Sequence, residues 1–236
     1  MSVLHFDYLD STNEYLKVKY RFLDDFTVVY VDEQLKGKGR EKREWDSEPK
    51  KNLLCSILIK NKNVLSYLDC LSLLTGVVAF KTLKKLKIKE LSIKWPNDLY
   101  VKDKKIAGIL VESVSLSSNI AAAIIGVGIN LNQEQFNTGF DATSYKLETN
   151  KNVRIDKVLN IFIKLLRKEL WKLTKNKSKY ISVINENNYL LNKTAFAVIN
   201  NKKVEVKVLN INPDNTLNIV INGENKSIRS NEISFH

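Results

Sequence analysis

The segment Gln34-Leu35-Lys36-Gly37-Lys38-Gly39-Arg40-Glu41-Lys42-Arg43-Glu44-Trp45 places five cations and two glycines in one short stretch. Glycines allow the backbone to come close to a ligand and to take up φ > 0, and alternating cationic side chains can close around a polyanion such as a phosphate chain. Alone, such a loop in a lysine-rich chain is more often a solvated surface. Independent support comes from Lys94-Trp95-Pro96-Asn97-Asp98, followed after a short turn by Lys105-Ile106-Ala107-Gly108-Ile109-Leu110-Val111-Glu112, and then by Gly126-Val127-Gly128-Ile129-Asn130. These pieces combine a lysine, amide and carboxylate side chains, and glycines at a strand end.

The elements that must carry these residues are legible from periodicity. Ser11-Thr12-Asn13-Glu14 has the form of a capping box, with Ser11 expected to cap and Glu14 to reach back, ahead of a helix near 12–20. Residues 26–33 read as a strand, 34–43 as a loop and 53–60 as a second strand. Residues 64–86 repeat apolar positions at helical spacing behind Asn63, which predicts one long core helix capped by that asparagine. Residues 91–95 read as a strand, and 98–101 with 104–113 as a hairpin about Lys102-Asp103. The almost wholly apolar run 120–130 predicts a central strand whose glycine-bearing end lies near a ligand. Residues 155–173 and 179–189 read as helices, and 195–199, 203–211, 216–221 and 226–229 as short strands joined by turns. The fold class is therefore α+β, a mixed β-sheet flanked by helices, with residues 1–190 as a larger unit and 191–236 as a small β-barrel.

Bulk composition bounds the alternatives. A chain of 236 residues with 44% hydrophobic content can bury an enzyme-sized core. The formal charge of +12 would favour a nucleic acid or an anionic surface if it were clustered, but its lysines are dispersed among asparagines along the whole length. Cys55 and Cys70 sit in apolar runs with no ligand-spaced cysteine or histidine, so neither a zinc site nor a redox pair is expected, and free thiols in a reducing cytoplasm are. No charged segment leading into an apolar core opens the chain, and no run is apolar enough to enter a membrane.

The loop of form G-[KR]-G-R-x-x-R-x-W, then KWPND-L-Y, then K-[IL]-A-G-I-L-V-E, then G-V-G-I-N, in that order and spacing, resembles the biotin protein ligase family over essentially the whole chain. KWPND with KIAGILVE is the specific pair. The resemblance implies a catalytic sheet with an SH3-like C-terminal barrel. It implies activation of biotin by ATP to biotinyl-5′-adenylate and pyrophosphate, and then transfer to a lysine of a biotin carboxyl carrier domain. Magnesium is expected to accompany ATP. It places Ser11, Thr12, Asn13, Gln34, Gly37, Lys38, Gly39, Arg40, Lys105 and Gly108 around biotin. Arg40, Arg43, Trp45, Asn97, Asp98, Lys105 and Asn130 fall around ATP, with Lys105 and Arg40 carrying the catalysis.

Plainer roles compete at several of these positions: Ser11 as a helix cap, Trp45 as core packing, and Asn97 and Asp98 as an Asx turn. The segment Ala142-Thr143-Ser144 resembles the family's adenine-side segment, while 133–141 carries no signal. Lys38 stands where the family usually has arginine, which turns a forked contact into a point charge, and Lys42 stands where a third glycine is common. Looser closure of the loop is the expectation. The DSTN segment starts so near the N-terminus that the DNA-binding domain of some family members is not expected ahead of it. The resemblance leaves monomer and homodimer open. Lipoate or octanoate ligation on the same fold is the closer alternative reading, and a basic nucleic-acid-binding protein the more distant one.

Overall fold

A computed structural model describes residues 2–117, 119–137, 139, 141–173, 179–200 and 202–235. Seven strands, β1 (Val3–Leu9), β2 (Val28–Gln34), β3 (Leu53–Ile59), β4 (Leu91–Lys94), β5 (Asp98–Val101), β6 (Lys104–Leu116) and β7 (Asn119–Ile129), form one sheet in the order β1-β2-β3-β7-β6-β5-β4. β1 and β2 run parallel, and every other neighbouring pair is antiparallel. β3, apolar but for Ser56, and β7, apolar or glycine after Asn119, read as near-continuous apolar runs because they lie in the middle of the sheet with material on both faces.

Side-chain alternation divides that sheet into two faces. Cys55, Ile57, Ile125, Val127 and Ile129 point to one side and join the main core, built against helices α3 (Leu68–Lys85) and α5 (Ile155–Leu173). Leu58, Ala122 and Ile124 point to the other side, where Leu16 of helix α1 (Thr12–Lys19) covers them in a second, smaller cluster. Each fully buried leucine or isoleucine contributes about 1.5–3 kcal/mol, so the α3–α5 face carries the larger share of the stability. The α1 face continues along the sheet into Ser56, Gly126, Leu110, Gly128 and Gly108, where glycines replace the large apolar side chains.

Most predicted elements form where they were expected, with informative exceptions. The long helix expected over 64–86 is instead a short α2 (Lys62–Leu65) followed by α3. Asn61, not Asn63, is the cap, its side chain accepting from the amides of Asn63 and Val64 at 3.0 and 3.4 Å, and the non-helical Tyr67 (φ −114°, ψ 32°) breaks the run. Ser11 does occupy the position before α1, but its side chain makes no capping bond. Glu14 turns to Lys17 and Lys38 rather than back to the helix start, because two ammonium groups outcompete one backbone amide. The hairpin about Lys102-Asp103 and helix α5 match their expected positions.

At the C-terminus β8 (Thr194–Ile199), β9 (Lys202–Ile211), β10 (Leu217–Ile221), β11 (Glu224–Ile228) and β12 (Ile233–Phe235) form an antiparallel sheet in the order β11-β10-β9-β8-β12. The last strand was not foreseen. Asn222 and Gly223, both at positive φ (50° and 82°), make the β10–β11 hairpin turn that their types demand. Ala197, Val206, Val208, Ile211, Leu217 and Ile219 belong to the same buried cluster as the main sheet, so the small sheet shares its core with the larger one. Helix α6 (Lys179–Glu186) leads into it, and the Trp95 indole donates to the Asn215 carbonyl at 3.3 Å. Cys55 and Cys70 are both buried, and burial pushes the Cys55 thiol up to about 12. Among the described residues no helix is long and apolar enough to cross a membrane.

Candidate active site

The α1 face of the sheet ends in a polar pocket floor. Gln34 Oε1 accepts from the Thr12 amide at 2.9 Å and lies 3.0 Å from the Thr12 hydroxyl. Thr12 Oγ1 is also 2.6 Å from Ser56 Oγ, and Ser56 Oγ donates to Asn13 Oδ1 at 2.5 Å. Asn13 Nδ2 donates to Glu112 Oε2 at 2.6 Å. Ser11, Thr12, Asn13 and Ser56 are all buried, so these bonds are made out of water, where leaving one unmade costs about 1–3 kcal/mol. The Asn13 amide lies directly on Gly126, where a Cβ would collide with it.

One row along the sheet, Gly108 and Gly128 face each other across β6 and β7, and the Trp45 ring lies over both. A Cβ on Gly128 would stand 2.5 Å from Trp45 Cε2, and one on Gly108 would stand 2.8 Å from Trp45 Cζ3. The glycines are there so that an aromatic ring can lie on bare backbone. The loop that carries Trp45 doubles back on itself: Gly39 N–H donates to Arg43 O at 2.7 Å and Trp45 N–H to Gly37 O at 3.0 Å. Its glycines do not adopt φ > 0. Glu41 does (φ 56°), while Gly37 is required because a Cβ there would meet the Trp45 carbonyl at 2.8 Å.

Cationic groups gather beside this ring. Lys105 Nζ lies 2.9 Å from Asp98 Oδ1 and 5.5 Å from the Trp45 ring centroid. Arg40 donates to Asn97 Oδ1 at 3.2 Å and, through its other terminal nitrogen, to the Ser230 carbonyl at 2.7 Å. Asn97 in turn donates to the Ile109 carbonyl at 3.0 Å, which ties the proline-led corner to β6. Asn97 and Asp98, adjacent in the chain, thus bring Arg40 and Lys105 together. Burial holds the Lys94 ammonium below its ordinary value; Asp98 opposes that, and Lys105 and Arg43 push it down further, so these cations share one electrostatic field. Arg43 itself pairs with Glu41 at 3.1 Å inside the loop, and Lys38 with Glu14 at 3.1 Å. Arg40 also lines a cavity of about 670 Å³ between the open edge of β6 and the C-terminal sheet, together with Trp95, Leu110 and Arg229.

Asn130 follows the glycine strand and donates to the Thr143 carbonyl at 3.0 Å, while the Thr143 amide donates to the Lys105 carbonyl at 2.9 Å. The segment 142–144 is thereby pinned to the strand that carries Lys105. Trp45 Nε1, Ser47 Oγ and Asn130 Oδ1 are buried with no hydrogen-bond partner among the described residues, and a polar ligand seated here would satisfy such groups. Every residue named by the resemblance therefore lies on this face or on the loop above it. Sequence reading missed Ser56 and Gln133, and gave no role to Lys94 and Glu112 although both stand in the quoted motifs. Gln133, almost fully buried, accepts from the Glu48 amide at 3.1 Å and from Asn52, and donates to Asp46 at 3.0 Å and to the Gln135 carbonyl at 2.7 Å. It stands in a polar run between Asn132 and Glu134, and nothing local marked it.

Comparison with known proteins bears on the family and the fold. The profile of the biotin/lipoate A/B protein ligase family matches residues 5–130. The bifunctional ligase/repressor BirA of Escherichia coli is 37% identical over 123 residues, 52% of this chain and 38% of that protein, so the match spans about two fifths of that relative's length. The biotin–[acetyl-CoA-carboxylase] ligase of Paracoccus denitrificans is 33% identical over 134 residues, 52% of this chain and 51% of that one. Among solved structures, the biotin protein ligase from Aquifex aeolicus in complex with biotin and ATP superimposes with a TM-score of 0.88 at 27% identity, covering 100% of this chain and 98% of that one. With a family profile matched over more than half its length, the chain belongs to the biotin/lipoate A/B protein ligase family.

Proposed function

We infer that this chain is a biotin protein ligase, which activates biotin with ATP and passes it to a lysine of the biotin carboxyl carrier domain of acetyl-CoA carboxylase. One observation carries the reading: Arg40 of the cationic loop and Lys105 of the hairpin converge through Asn97 and Asp98 beside the Trp45 ring. In the first step the biotin carboxylate attacks the α-phosphorus of ATP and pyrophosphate leaves with the bonding electron pair. In the second, the acceptor amine attacks the acyl carbon of the mixed anhydride and AMP leaves. Both steps bring anions together or release them, so fixed cations supply most of the acceleration and no nucleophilic side chain is needed. Lys105 sits where it can bridge the biotin carboxylate and the α-phosphate, and Arg40 offers its fork to phosphate oxygens. Trp45, Asn97, Asp98, Arg43 and Asn130 frame the nucleotide. A magnesium ion would ride on the ATP phosphates, whose oxygens it favours, with Asp98 as the carboxylate already beside Lys105.

The pocket floor favours a cyclic urea over a dithiolane. Gln34 Oε1 is occupied by Thr12, so its amide nitrogen is the end left for a ligand, a donor. Thr12 has spent its proton on Ser56 or Gln34, so its oxygen meets a ligand as an acceptor. One acceptor beside one donor complements the N–H and C=O of the ureido ring around which Ser11, Asn13, Gly37, Lys38, Gly39 and Gly108 would gather. A lipoyl ring would leave both groups unpaired, a loss worth several powers of ten in a site built this way.

The decisive measurement is ATP–pyrophosphate exchange stimulated by added acid. Biotin stimulates it and lipoate does not; the reverse result moves the chain to lipoate or octanoate ligation. Steeply salt-dependent DNA binding in a filter assay would instead support a nucleic-acid-binding role. We assign residues 1–190 to catalysis and 191–236 to a C-terminal unit, and place the enzyme in the cytoplasm with its ATP and carboxylase partners.

A further inference from the structure

Glu112, on β6, lies outside every role assigned so far, yet it sits at the end of the pocket's hydrogen-bond chain. Its Oε2 takes a hydrogen bond from Asn13 Nδ2 at 2.6 Å, and its Oε1 lies 2.5 Å from Lys17 Nζ. Lys17 is shared with Glu14 at 3.0 Å. Asn13 also points Nδ2 at the Leu110 carbonyl, at 3.4 Å, which leaves Oδ1 facing Ser56.

We propose that Glu112 is a positioning residue that sets the donor–acceptor direction of the ligand pocket, acting through Asn13, Ser56 and Thr12. An ionised carboxylate can only accept, so it fixes the Asn13 amide with nitrogen toward itself and oxygen toward Ser56. Ser56 must then donate to Asn13, and its oxygen is free to accept the Thr12 proton. The outcome at the ligand is a Thr12 oxygen with a lone pair exposed. Reversing the chain would turn the Asn13 oxygen onto the Glu112 carboxylate, a contact between two acceptors. Without Glu112 only the longer 3.4 Å contact with the Leu110 carbonyl opposes reversal, and the chain can run in either direction. In the reversed chain Ser56 donates to Thr12, whose own proton is then shared between Gln34 Oε1 and the ligand, so the hydroxyl distinguishes a ligand N–H less sharply from a ligand that lacks one. Lys17 balances the carboxylate from the side away from the pocket, and Gly126 leaves the Asn13 amide room to lie flat on the sheet. The inference deepens the biotin-ligation reading and rests on it, because the feature it protects is recognition of a ureido N–H.

The test uses the full chain and compares biotin with biotin methylated on a ureido nitrogen. Glu112→Val, which suits a strand, raises the KM for biotin roughly tenfold or more while leaving the KM for ATP within about twofold, and its preference for biotin over the methylated analogue falls by a similar factor. A merely structural role would lower the melting temperature and move both KM values together, or neither. An unchanged biotin KM, or biotin and ATP KM values rising in parallel, overturns the proposal. A second pair of variants decides the matter should Glu112→Val not fold. Asn13→Asp alone sets two carboxylates face to face and loses biotin affinity. Asn13→Asp combined with Glu112→Gln re-forms the pair with the donor on the other side and still turns an oxygen to Ser56, so biotin KM recovers to within a few-fold of the parent; no recovery overturns the proposal. If the parent protein exchanges pyrophosphate with lipoate and not with biotin, it is the functional reading that fails. If it uses biotin and the variants keep its KM, only the role of Glu112 fails.

Discussion

Gly128→Ala puts the placement of Trp45 to a quantitative trial. The added methyl would lie 2.5, 2.6 and 2.9 Å from Trp45 Cε2, Cζ2 and Nε1. Carbon atoms rest about 3.5–4.0 Å apart, so the ring must rise from the sheet by about 1 Å. Gly108, which carries no Cβ, lies under another part of the same ring. Overpacking of this kind costs about 1–3 kcal/mol. The functional cost is of the same order: a displacement of about 1 Å in a positioning group lowers a rate by as much as about 10²-fold, equivalent to about 2.7 kcal/mol.

The assay is a double-mutant cycle on the parent, Gly128→Ala, Trp45→Ala and the combination, read by thermal melting and by biotin-dependent pyrophosphate exchange. With the indole gone, the methyl enters open space, and its own cost should shrink to about 0.5 kcal/mol or less. The combined variant should then be no less active than Trp45→Ala. Additive losses in both readouts would mean that the ring does not rest on Gly128, and the account of the glycine pair would fall with it.

Three further outcomes follow from the same contacts. Lys105→Met lowers adenylation by about 10²-fold or more, since it removes the cation expected at the reacting phosphate, and adding Asp98→Asn recovers melting temperature but not rate; a loss under about threefold would refute the assignment. Gln133→Leu leaves the Glu48 amide and Asn52 without their acceptor and lowers the urea midpoint by an amount equivalent to about 2–4 kcal/mol, whereas an unchanged midpoint would show that the two loop stems are not joined there. The hydrogen bond from Lys17 holds the Glu14 carboxyl below its ordinary 4.5 against the opposing effect of burial, with Lys38 adding to it. Its contribution is complete above 4.5 and disappears as pH falls through the folded-state value, so a carboxyl titration by NMR should place the Glu14 midpoint below 4.5, and a midpoint at or above it would contradict the pairing.

What the sequence disclosed depended on how local the cause was. The 98–116 hairpin and helix α5 were legible because a two-residue turn and an apolar repeat are written in adjacent residues. The cap of α2 was misplaced by two residues because Asn61 and Asn63 offer the same chemistry, and only the backbone path decides between them. Ser56 stayed hidden, and Glu112 was named in a motif without a role, because their partner Asn13 is 43 and 99 residues away. Ser56 is the polar residue of an otherwise apolar strand, a hint that something on that face wants a hydroxyl. The loop glycines were read for positive φ, which Glu41 supplies instead, whereas the steric demand that does require glycine comes from Trp45.

The same contacts bear on how firmly the cationic loop is held. Lys38 and Glu14 are about half exposed, at 52% and 40%, and a pair of that kind contributes about 0–1 kcal/mol. Among the described residues Arg43 forms its ion pair with Glu41 of its own loop, which anchors it to nothing outside. The loop's stem is held by backbone bonds from Leu35 and Lys36 to Leu9 and Asp10, and beyond the stem it is placed by Arg40, with one bond to the corner at Asn97 and one to the Ser230 carbonyl, and by Trp45, with its ring on the glycine pair. On this distribution, lysine in place of the family's usual arginine at position 38 loosens a contact that carried little of the load. It also gives the C-terminal sheet a part in the site: the turn between β11 and β12 presents the carbonyl that holds one arm of the Arg40 guanidinium. Arg40→Lys cannot reach both partners at once, and it should loosen the loop far more than any substitution at Lys38, as protection of residues 36–44 from proteolysis would register.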